Sequence, residues 1–174
     1  MSSATTSKPL TRYGQSKLAE EHEWLARHER PKVLKKISDA AAEGDRSENA
    51  EYIYGKKRLR EIDKRLRYLD RILTDAKIVD QTELKGEVVC FGATVTCETE
   101  SGDTSQWMIV GEGETEYQHK AVSWRSPVAK ALWGKKVGDL ALIKRPRGDL
   151  EVEIIEIEFL VDPKPLAFDF KFEN

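Results

Sequence analysis

The chain has 174 residues, of which 34% are charged and 39% hydrophobic, and its formal net charge is −2. With a mean hydropathy of −0.59 and no apolar run near the roughly 20 residues of a membrane span, it reads as a soluble protein. The N-terminus lacks the apolar core of a signal peptide, so we expect a cytoplasmic protein without a membrane partner. Cys90 and Cys97 have an odd spacing in one predicted strand, which puts them on opposite faces and disfavours a disulfide between them. The sequence has no CxxC pair, which disfavours a zinc module.

Although the net charge of the chain is close to neutral, one segment is strongly basic. From Lys56 to Arg71 there are eight basic residues and three acidic ones. Such runs are most often the solvated flank of a helix, but this excess is larger than i,i+4 pairing within the helix can use. The segment therefore also suggests a localised electrostatic function, such as binding a nucleic-acid backbone.

Residues 1–10 are small and polar, and we expect them to be loose. From Thr11, a suitable N-cap, apolar residues recur at helical spacing, with Pro31 expected to bend the helix. A second run has the 3,4 spacing of a heptad seam. The two patterns predict an antiparallel coiled-coil hairpin over residues 11–76, with its tip at about 42–50 and Gly44 near that tip. The first seam is Leu18, Leu25, Val33, Ile37 and Ala40, and the second is Tyr52, Gly55, Leu59, Ile62, Leu66, Leu69, Leu73 and Ala76.

After residue 76 the pattern changes to the alternation typical of strands, interrupted by one short helix in "SPVAKALWG". Ser126 is a good N-cap for this helix, with Pro127 at its first position. The pattern predicts a β-rich domain over residues 77–161. The extension 162–174 carries alternating phenylalanines that fit either an extra strand or a docking tail.

The stretch "GDRSENAEY", residues 44–52, carries Asp45 and Glu48 three residues apart. An N-cap Asp followed by Glu at N3 is a capping-box arrangement, and Ser47 is a rival N-cap. Two carboxylates at the end of a rigid hairpin could instead contribute to a Mg²⁺ site, since Mg²⁺ takes one or two protein carboxylates and keeps several waters. Ser47 and Asn49 could orient water or RNA. The residues alone leave these alternatives open.

Several motifs together resemble the GreA and GreB family of bacterial transcript-cleavage factors. They are "GDRSENAEY", "GKKRLREIDKRLRYLDRIL", "AKIVD", "FGATV", "SPVAKALWGKKVGDL" and "EIIEIEF", in the family's order from about Thr11 to Leu160. Arg-Ser after the tip Gly-Asp and the dense basic helix resemble GreB more closely. The resemblance implies an α+β protein, with a coiled-coil hairpin followed by an FKBP-like antiparallel β domain that has no isomerase activity.

The resemblance also implies a function. Family members bind bacterial RNA polymerase, pass the hairpin into its secondary channel and stimulate cleavage of the 3′ RNA in backtracked complexes, so that elongation resumes. By this resemblance the chain is not itself an enzyme, and Asp45 and Glu48 are catalytic residues that hold Mg²⁺ jointly with the polymerase. We expect a monomer. The alternatives are a secondary-channel regulator that does not cleave RNA, and a generic coiled-coil adaptor.

Two further surfaces follow from the resemblance. A basic patch that holds the 3′ end of the nascent RNA consists of Lys56, Lys57, Arg58, Arg60, Lys64, Arg65 and Arg67. A polymerase-docking segment contains Ser123, Arg125, Ser126 and Pro127. The family usually has an acidic or amide residue where Arg125 stands, so the docking contact differs here from the family pattern.

Overall fold

The computed structural model describes residues 8–42, 49–80, 84 and 86–159. By internal contacts the chain divides into two compact units. One comprises residues 16–75 and is helical; the other comprises residues 1–15 and 76–174 and contains the sheets. Asp45, Glu48 and the extension 162–174 lie outside the described residues.

The first arm of the hairpin is a nearly continuous helix with one irregular turn. It consists of α1 (Arg12–Trp24), a π-helical turn (Leu25–Glu29) and α2 (Arg30–Ala42). Leu18 and Leu25 are seven residues apart, whereas Leu25 and Val33 are eight apart, yet all three are buried. A π-helical turn contains an extra residue and keeps the apolar stripe on one side. It ends just before Pro31, so the predicted distortion is confirmed.

The second arm is α3 (Ala50–Thr74), a single helix of 25 residues. Gly55, Ile62 and Leu69 of the predicted seam are buried, as is Ile72. Gly55 lies where the arms approach closely, because a Cβ at this position would lie 2.6 Å from Cγ1 of Ile37. The predicted hairpin is therefore confirmed, while the second seam is buried at Gly55, Ile62 and Leu69 and then at Ile72 rather than at the predicted Leu73.

A small parallel sheet lies in the second unit. Strand β1 (Lys8–Thr11) pairs with β2 (Ala76–Val79), with Lys8 opposite Ala76 and Thr11 opposite Val79. The expectation that residues 1–10 are loose is wrong for residues 8–10, where Leu10 is fully buried. A four-residue strand containing Lys and Pro gives little sequence signal, because its pairing partner lies 68 residues further along the chain.

The main sheet has the strand order β5-β4-β3-β7-β6. Its strands are β3 (Thr94–Glu98), β4 (Thr104–Val110), β5 (Ala121–Ser123), β6 (Leu140–Ile143) and β7 (Leu150–Glu158). All neighbours pair antiparallel except β4 and β5, which are parallel. The sheet is therefore mixed, which corrects the expectation of a purely antiparallel domain. The short 3₁₀ turn Glu114–Glu116 and the chain after it carry β5 back alongside β4.

The core of this unit lies on one face of the main sheet. Alternate residues of β6 and β7 point into it, among them Ile143, Val152 and Ile154, and the helix α4 (Pro127–Leu132) adds Leu132. Cys97 is also buried, and burial raises the pKa of its thiol to about 11. Cys90 and Cys97 are both free thiols, as expected.

Strand β7 contains a β-bulge, and two adjacent isoleucines indicate its position in the sequence. Its pairing with β3 shifts register between Thr96 and Cys97, and this leaves Ile155 without a partner on β3. The adjacent Ile154 and Ile155 break the alternation of "EVEIIEIE", because Ile154 is buried and Ile155 is 41% exposed. An extra residue of this kind is a β-bulge, which increases the local twist of the strand.

Candidate functional site

Asn49 closes the hairpin. It is the N-cap of α3, where its side-chain oxygen accepts a hydrogen bond from the Tyr52 amide at 3.1 Å. Its side-chain nitrogen donates to the carbonyl of Ala40 on the other arm at 3.0 Å. The interpretation of Asp45 or Ser47 as the N-cap of this helix is therefore wrong. Asn49 therefore caps its own helix with its side-chain oxygen and bonds to the other arm with its side-chain nitrogen, which gives it a structural role here.

Asp45 and Glu48 belong to the connection between Ala42, where α2 ends, and the cap Asn49. They lie outside the described residues, so the geometry of their carboxylates stays a prediction. Within residues 8–42, 49–80, 84 and 86–159, no group of three or more His, Cys, Asp or Glu side chains is arranged to hold a metal ion.

Two of the seven predicted basic-patch residues are used in ion pairs between the hairpin arms or along α3. Arg65 makes a bidentate contact with Glu21, through Nε and Nη2 at 2.8 Å each. Arg58 lies 3.7 Å from Glu29 on the first arm and 3.4 Å from Glu61 on its own helix. Both arginines are half-buried, and the contacts with Glu21 and Glu29 join the two arms. Arg58 and Arg65 thus make contacts within the hairpin, and their assignment to the RNA-binding patch stays a prediction.

The other basic residues of α3 form one outward-facing stripe, the cationic stripe. At about 100° per residue they fall within an arc of about 100° whose centre lies opposite the buried seam. All six members are exposed. The stripe is Lys56, Lys57, Arg60, Lys64, Arg67 and Arg71.

The acids of the same segment do not neutralise the stripe. Glu61 pairs with Arg58, Asp63 with Arg30 at 2.9 Å, and Asp70 with His22 at 2.8 Å. Within the described residues, none of the six members of the stripe has a carboxylate within 4.0 Å. Lys56 and Arg71 lie instead over the rings of Tyr52 and Tyr68. A row of uncompensated cations along a helix is suited to neutralising a phosphate backbone, independently of base sequence.

The predicted docking segment forms the turn between β5 and α4. The Ser126 hydroxyl caps α4 by accepting from the Ala129 amide at 3.1 Å, and Pro127 is at the first position of the helix. The Ser123 hydroxyl accepts from the Arg125 amide at 3.3 Å. These three residues shape the turn, so of the four predicted docking residues it is Arg125 that presents a charged group.

Arg125 lies in a cationic and aromatic surface that sequence reasoning did not assemble. Its guanidinium lies 5.0 Å from the ring centre of Trp124, and 3.8 Å from the Glu112 carboxylate. Trp124, Arg125, Lys130 and Trp133 line one shallow cavity, and Trp133 is 45% exposed. The signal was present in "SWRSPVAKALW", because Lys130 and Trp133 are three residues apart on a helix that follows directly from Arg125.

The burial of the Glu114 carboxylate was not predicted from the sequence. Glu114 is fully buried and accepts hydrogen bonds from the Thr11 amide at 3.0 Å, the Thr11 hydroxyl and the Gly111 amide at 2.8 Å. Thr11 in turn accepts from the Gly14 amide at 2.9 Å, as the predicted N-cap of α1. Burial raises the pKa of Glu114, although these hydrogen bonds oppose the rise. Glu114 therefore ties Thr11 to Gly111 within the unit that contains the sheets.

The chain combines a helical hairpin, which carries a cationic stripe on its second arm, with a domain built on a mixed sheet. Residues 8–78 match the family described as "Transcription elongation factor, N-terminal", and residues 84–159 match "Transcription elongation factor, GreA/GreB, C-term". The chain belongs to the GreA/GreB family of transcription elongation factors. None of the helices in the described ranges is long and apolar enough to cross a membrane.

Two relatives of similar sequence agree with this assignment. The chain is 46% identical over 165 residues to transcription elongation factor GreB of Yersinia pestis, covering 95% of this chain and 96% of the relative. It is 47% identical over 148 residues to GreB of Haemophilus influenzae, covering 85% and 94%. The crystal structure of GreA factor homolog 1 (Gfh1) of Thermus thermophilus matches with 26% identity, a TM-score of 0.41 and coverage of 86% and 97%.

Proposed function

We propose that this protein binds bacterial RNA polymerase, passes its hairpin into the secondary channel and stimulates cleavage of the 3′ RNA in backtracked complexes. Hydrolysis takes place in the polymerase, and the chain is a cofactor of that reaction rather than an enzyme on its own. It acts as a cytoplasmic monomer. Family membership supports this proposal, and the cationic stripe is the observation that carries it.

The cationic stripe is proposed to lie along the extruded RNA. Helix α3 has 25 residues and is about 38 Å long at 1.5 Å per residue. Its stripe begins at Lys56, six residues after the helix starts near the acidic connection, and continues to Arg71. Arg58 and Arg65 are not counted in the stripe, because they pair with Glu29 and Glu21 on the other arm of the hairpin. RNA held by such a row would be released by added salt.

The acidic connection is proposed to complete a metal site in the polymerase. Asp45 and Glu48 are hard oxygen donors of the kind that Mg²⁺ prefers, and two carboxylates are a typical protein contribution to such a site. When bound, Mg²⁺ supplies a charge that activates water and stabilises the leaving oxygen in phosphodiester hydrolysis. The chain's own part is to hold the two carboxylates at the end of the hairpin. Asn49 supports that part, because it fixes the start of α3 directly after Glu48.

The turn between β5 and α4 is proposed to dock on the polymerase. Ser123, Ser126 and Pro127 hold the backbone of this turn, and Arg125 extends over Trp124. Lys130 and the exposed Trp133 continue the surface. A cationic and aromatic surface of this kind fits a partner that offers carboxylates and an apolar contact.

Charge reversal on the stripe tests the proposal. Lys57, Arg60 and Lys64 are changed together to glutamate, and the matched control reverses three exposed lysines of the other arm, Lys32, Lys35 and Lys36. We expect the stripe variant to lose at least tenfold in the rate of transcript cleavage on deeply backtracked complexes, and the control to stay within twofold of wild type. Equal losses in the two variants would contradict a specific role for the stripe.

A further inference from the structure

Two large apolar side chains lie exposed next to each other in the first turns of α3. Ile53 is 55% exposed and Tyr54 is 57% exposed, and the helix begins at Ala50. Within the described part of the hairpin, the one other exposed residue of this kind is Leu34 on the first arm, which is 40% exposed. Single exposed hydrophobic residues are common on protein surfaces, so it is the pairing of these two and their place on the helix that require an explanation.

The ring of Tyr54 differs from those of the other two tyrosines of α3. Tyr52 is half-buried, and the Lys56 ammonium lies 5.7 Å from its ring centre. Tyr68 is also half-buried, with two arginine guanidinium groups at 5.2 and 5.6 Å from its ring centre. Among the residues that the structure describes, no cation lies over the ring of Tyr54. The face of this ring is therefore accessible to a binding partner.

The apolar pair continues the cationic stripe towards the start of the helix. At about 100° per residue, Ile53 lies about 40° from Lys57 and about 20° from Arg60 around the helix axis, inside the arc of the stripe. Tyr54 lies about 60° from Lys57, just beside that arc, and about 4.5 Å from it along the axis. The outward face of α3 is therefore a row of cations that ends, in the first turns of the helix, in an apolar and aromatic surface.

Cations and an accessible aromatic ring on one face suit a single-stranded nucleic acid. Lysine and arginine neutralise its phosphates, and an unpaired base stacks on an aromatic ring whatever its identity, because every base has a π-face. Glu51, the acid of the first turn of α3, lies about 60° from Tyr54 on the side away from Lys57, so it does not separate the ring from the stripe. The charge beside the ring therefore favours a polyanion as its partner.

We propose that the ring of Tyr54 stacks on one base of the RNA extruded from a backtracked complex, while Lys57 and the rest of the stripe hold the phosphates and Ile53 contacts the adjoining sugar. Phosphate contacts alone let a strand slide along a cationic surface, whereas a stacked base fixes one nucleotide at one place on the helix. Tyr54 thereby positions the RNA lengthwise, independently of base identity. This inference rests on the proposed function in transcript cleavage.

Cleavage of synthetic RNA in backtracked polymerase complexes tests the contact. An abasic nucleotide replaces each extruded nucleotide in turn, and the cleavage rate at saturating protein is divided by the rate without it. With wild type, an abasic nucleotide at one position should lower this ratio by about fivefold or more, as expected for the loss of one base–aromatic stack. Tyr54→Ala should lower it equally on normal RNA. The abasic nucleotide at that position should then have no further effect on Tyr54→Ala, because both changes remove the same contact.

Two control variants separate the ring from mere apolar surface. Tyr54→Phe keeps the ring, and Leu34→Ala shortens the exposed apolar residue of the other arm, so both should stay within twofold of wild type. The concentration of Tyr54→Ala that gives half-maximal cleavage should also stay within twofold of the wild-type value, because the ring is proposed to contact RNA and not the polymerase.

The possible failures are distinguishable. Wild-type cleavage that no abasic position slows would overturn this inference and leave the proposed function standing. A Tyr54→Ala variant that needs more protein for half-maximal cleavage, yet responds to abasic RNA as wild type does, would also overturn it, since the ring would then contact the polymerase. No cleavage of any RNA by wild type would overturn the proposed function, and this inference with it.

Discussion

The ion pair between Glu21 and Arg65 makes a sharp prediction, because Arg65 is predicted from the sequence as an RNA-binding residue and the structure pairs it with Glu21 on the other arm. Glu21 has a side-chain exposure of 4% and accepts both nitrogens of the Arg65 fork at 2.8 Å. Changing Arg65 to Met removes the partner and leaves a carboxylate buried between the arms. Changing Glu21 to Leu removes that carboxylate and leaves an arginine that is 25% exposed and can reach water.

The exposure of the two side chains sets the loss of stability that we expect for each change. Removing one partner of a fully buried pair costs about 3–5 kcal/mol, and hydrogen bonds to charged groups contribute about 1.5–3 kcal/mol. Since Arg65 is a quarter exposed, we expect a smaller loss, about 2–3 kcal/mol for Arg65→Met and about 1 kcal/mol for Glu21→Leu. The double variant replaces the pair with apolar groups and should lie close to wild type. The coupling energy between the two changes should then be about 2 kcal/mol or more.

Urea unfolding, followed by circular dichroism at the helix band, measures the stability of the hairpin in wild type, in the two single variants and in the double variant. Arg67→Met is the matched control on the same helix, because Arg67 is exposed on the cationic stripe, and it should change stability by less than about 0.5 kcal/mol. A coupling energy below about 0.5 kcal/mol, or a control as destabilising as Arg65→Met, would refute the division between structural and RNA-facing arginines.

Three smaller changes test local contacts. Asn49→Ala removes the cap of α3 and the bond to Ala40, and should cost the hairpin about 1 kcal/mol in urea unfolding; an unchanged midpoint would contradict the capping role. Gly55→Ala ordinarily favours a helix by about 1 kcal/mol, but here the new Cβ would lie 2.6 Å from Ile37, so the Tm should fall rather than rise. Burial raises the pKa of Glu114, so its folded form binds the proton more tightly than its unfolded form. Wild type should gain stability over Glu114→Gln as the pH falls from 7 towards 4.5, the ordinary pKa, and gain no more below it; a pH-independent difference would contradict this.

The hairpin was largely predictable because its information is periodic and local. The heptad seam of α3 follows from the spacing of Ile62 and Leu69, and the helix α4 follows from Ser126 and Pro127. Strand β1 and the parallel pairing of β5 were not predicted. Both depend on partners distant in sequence, and short strands carry little propensity of their own.

The sequence predicted the basic residues of the candidate site, but not which of them pair with acids of the other arm. A count of charges cannot separate Arg65 from Arg67, although a helical projection places Arg65 nearer the seam. The matching acids, Glu21 and Glu29, are eight residues apart, while Arg58 and Arg65 are seven apart. The π-helical turn reconciles the two spacings, and a straight-helix projection of the first arm misses it.

The central claim, that the acidic connection completes a hydrolytic site in RNA polymerase, is tested most directly by transcript cleavage on stalled, backtracked complexes in Mg²⁺. Wild type is compared with Asp45→Asn and Glu48→Gln, and binding to the polymerase is measured in parallel. Short 3′ RNA fragments should appear with wild type, and each variant should cleave at least 100-fold more slowly while binding within twofold of wild type. Cleavage by both variants at the wild-type rate would contradict the claim, and binding by wild type without any cleavage would identify a regulator that does not cleave RNA.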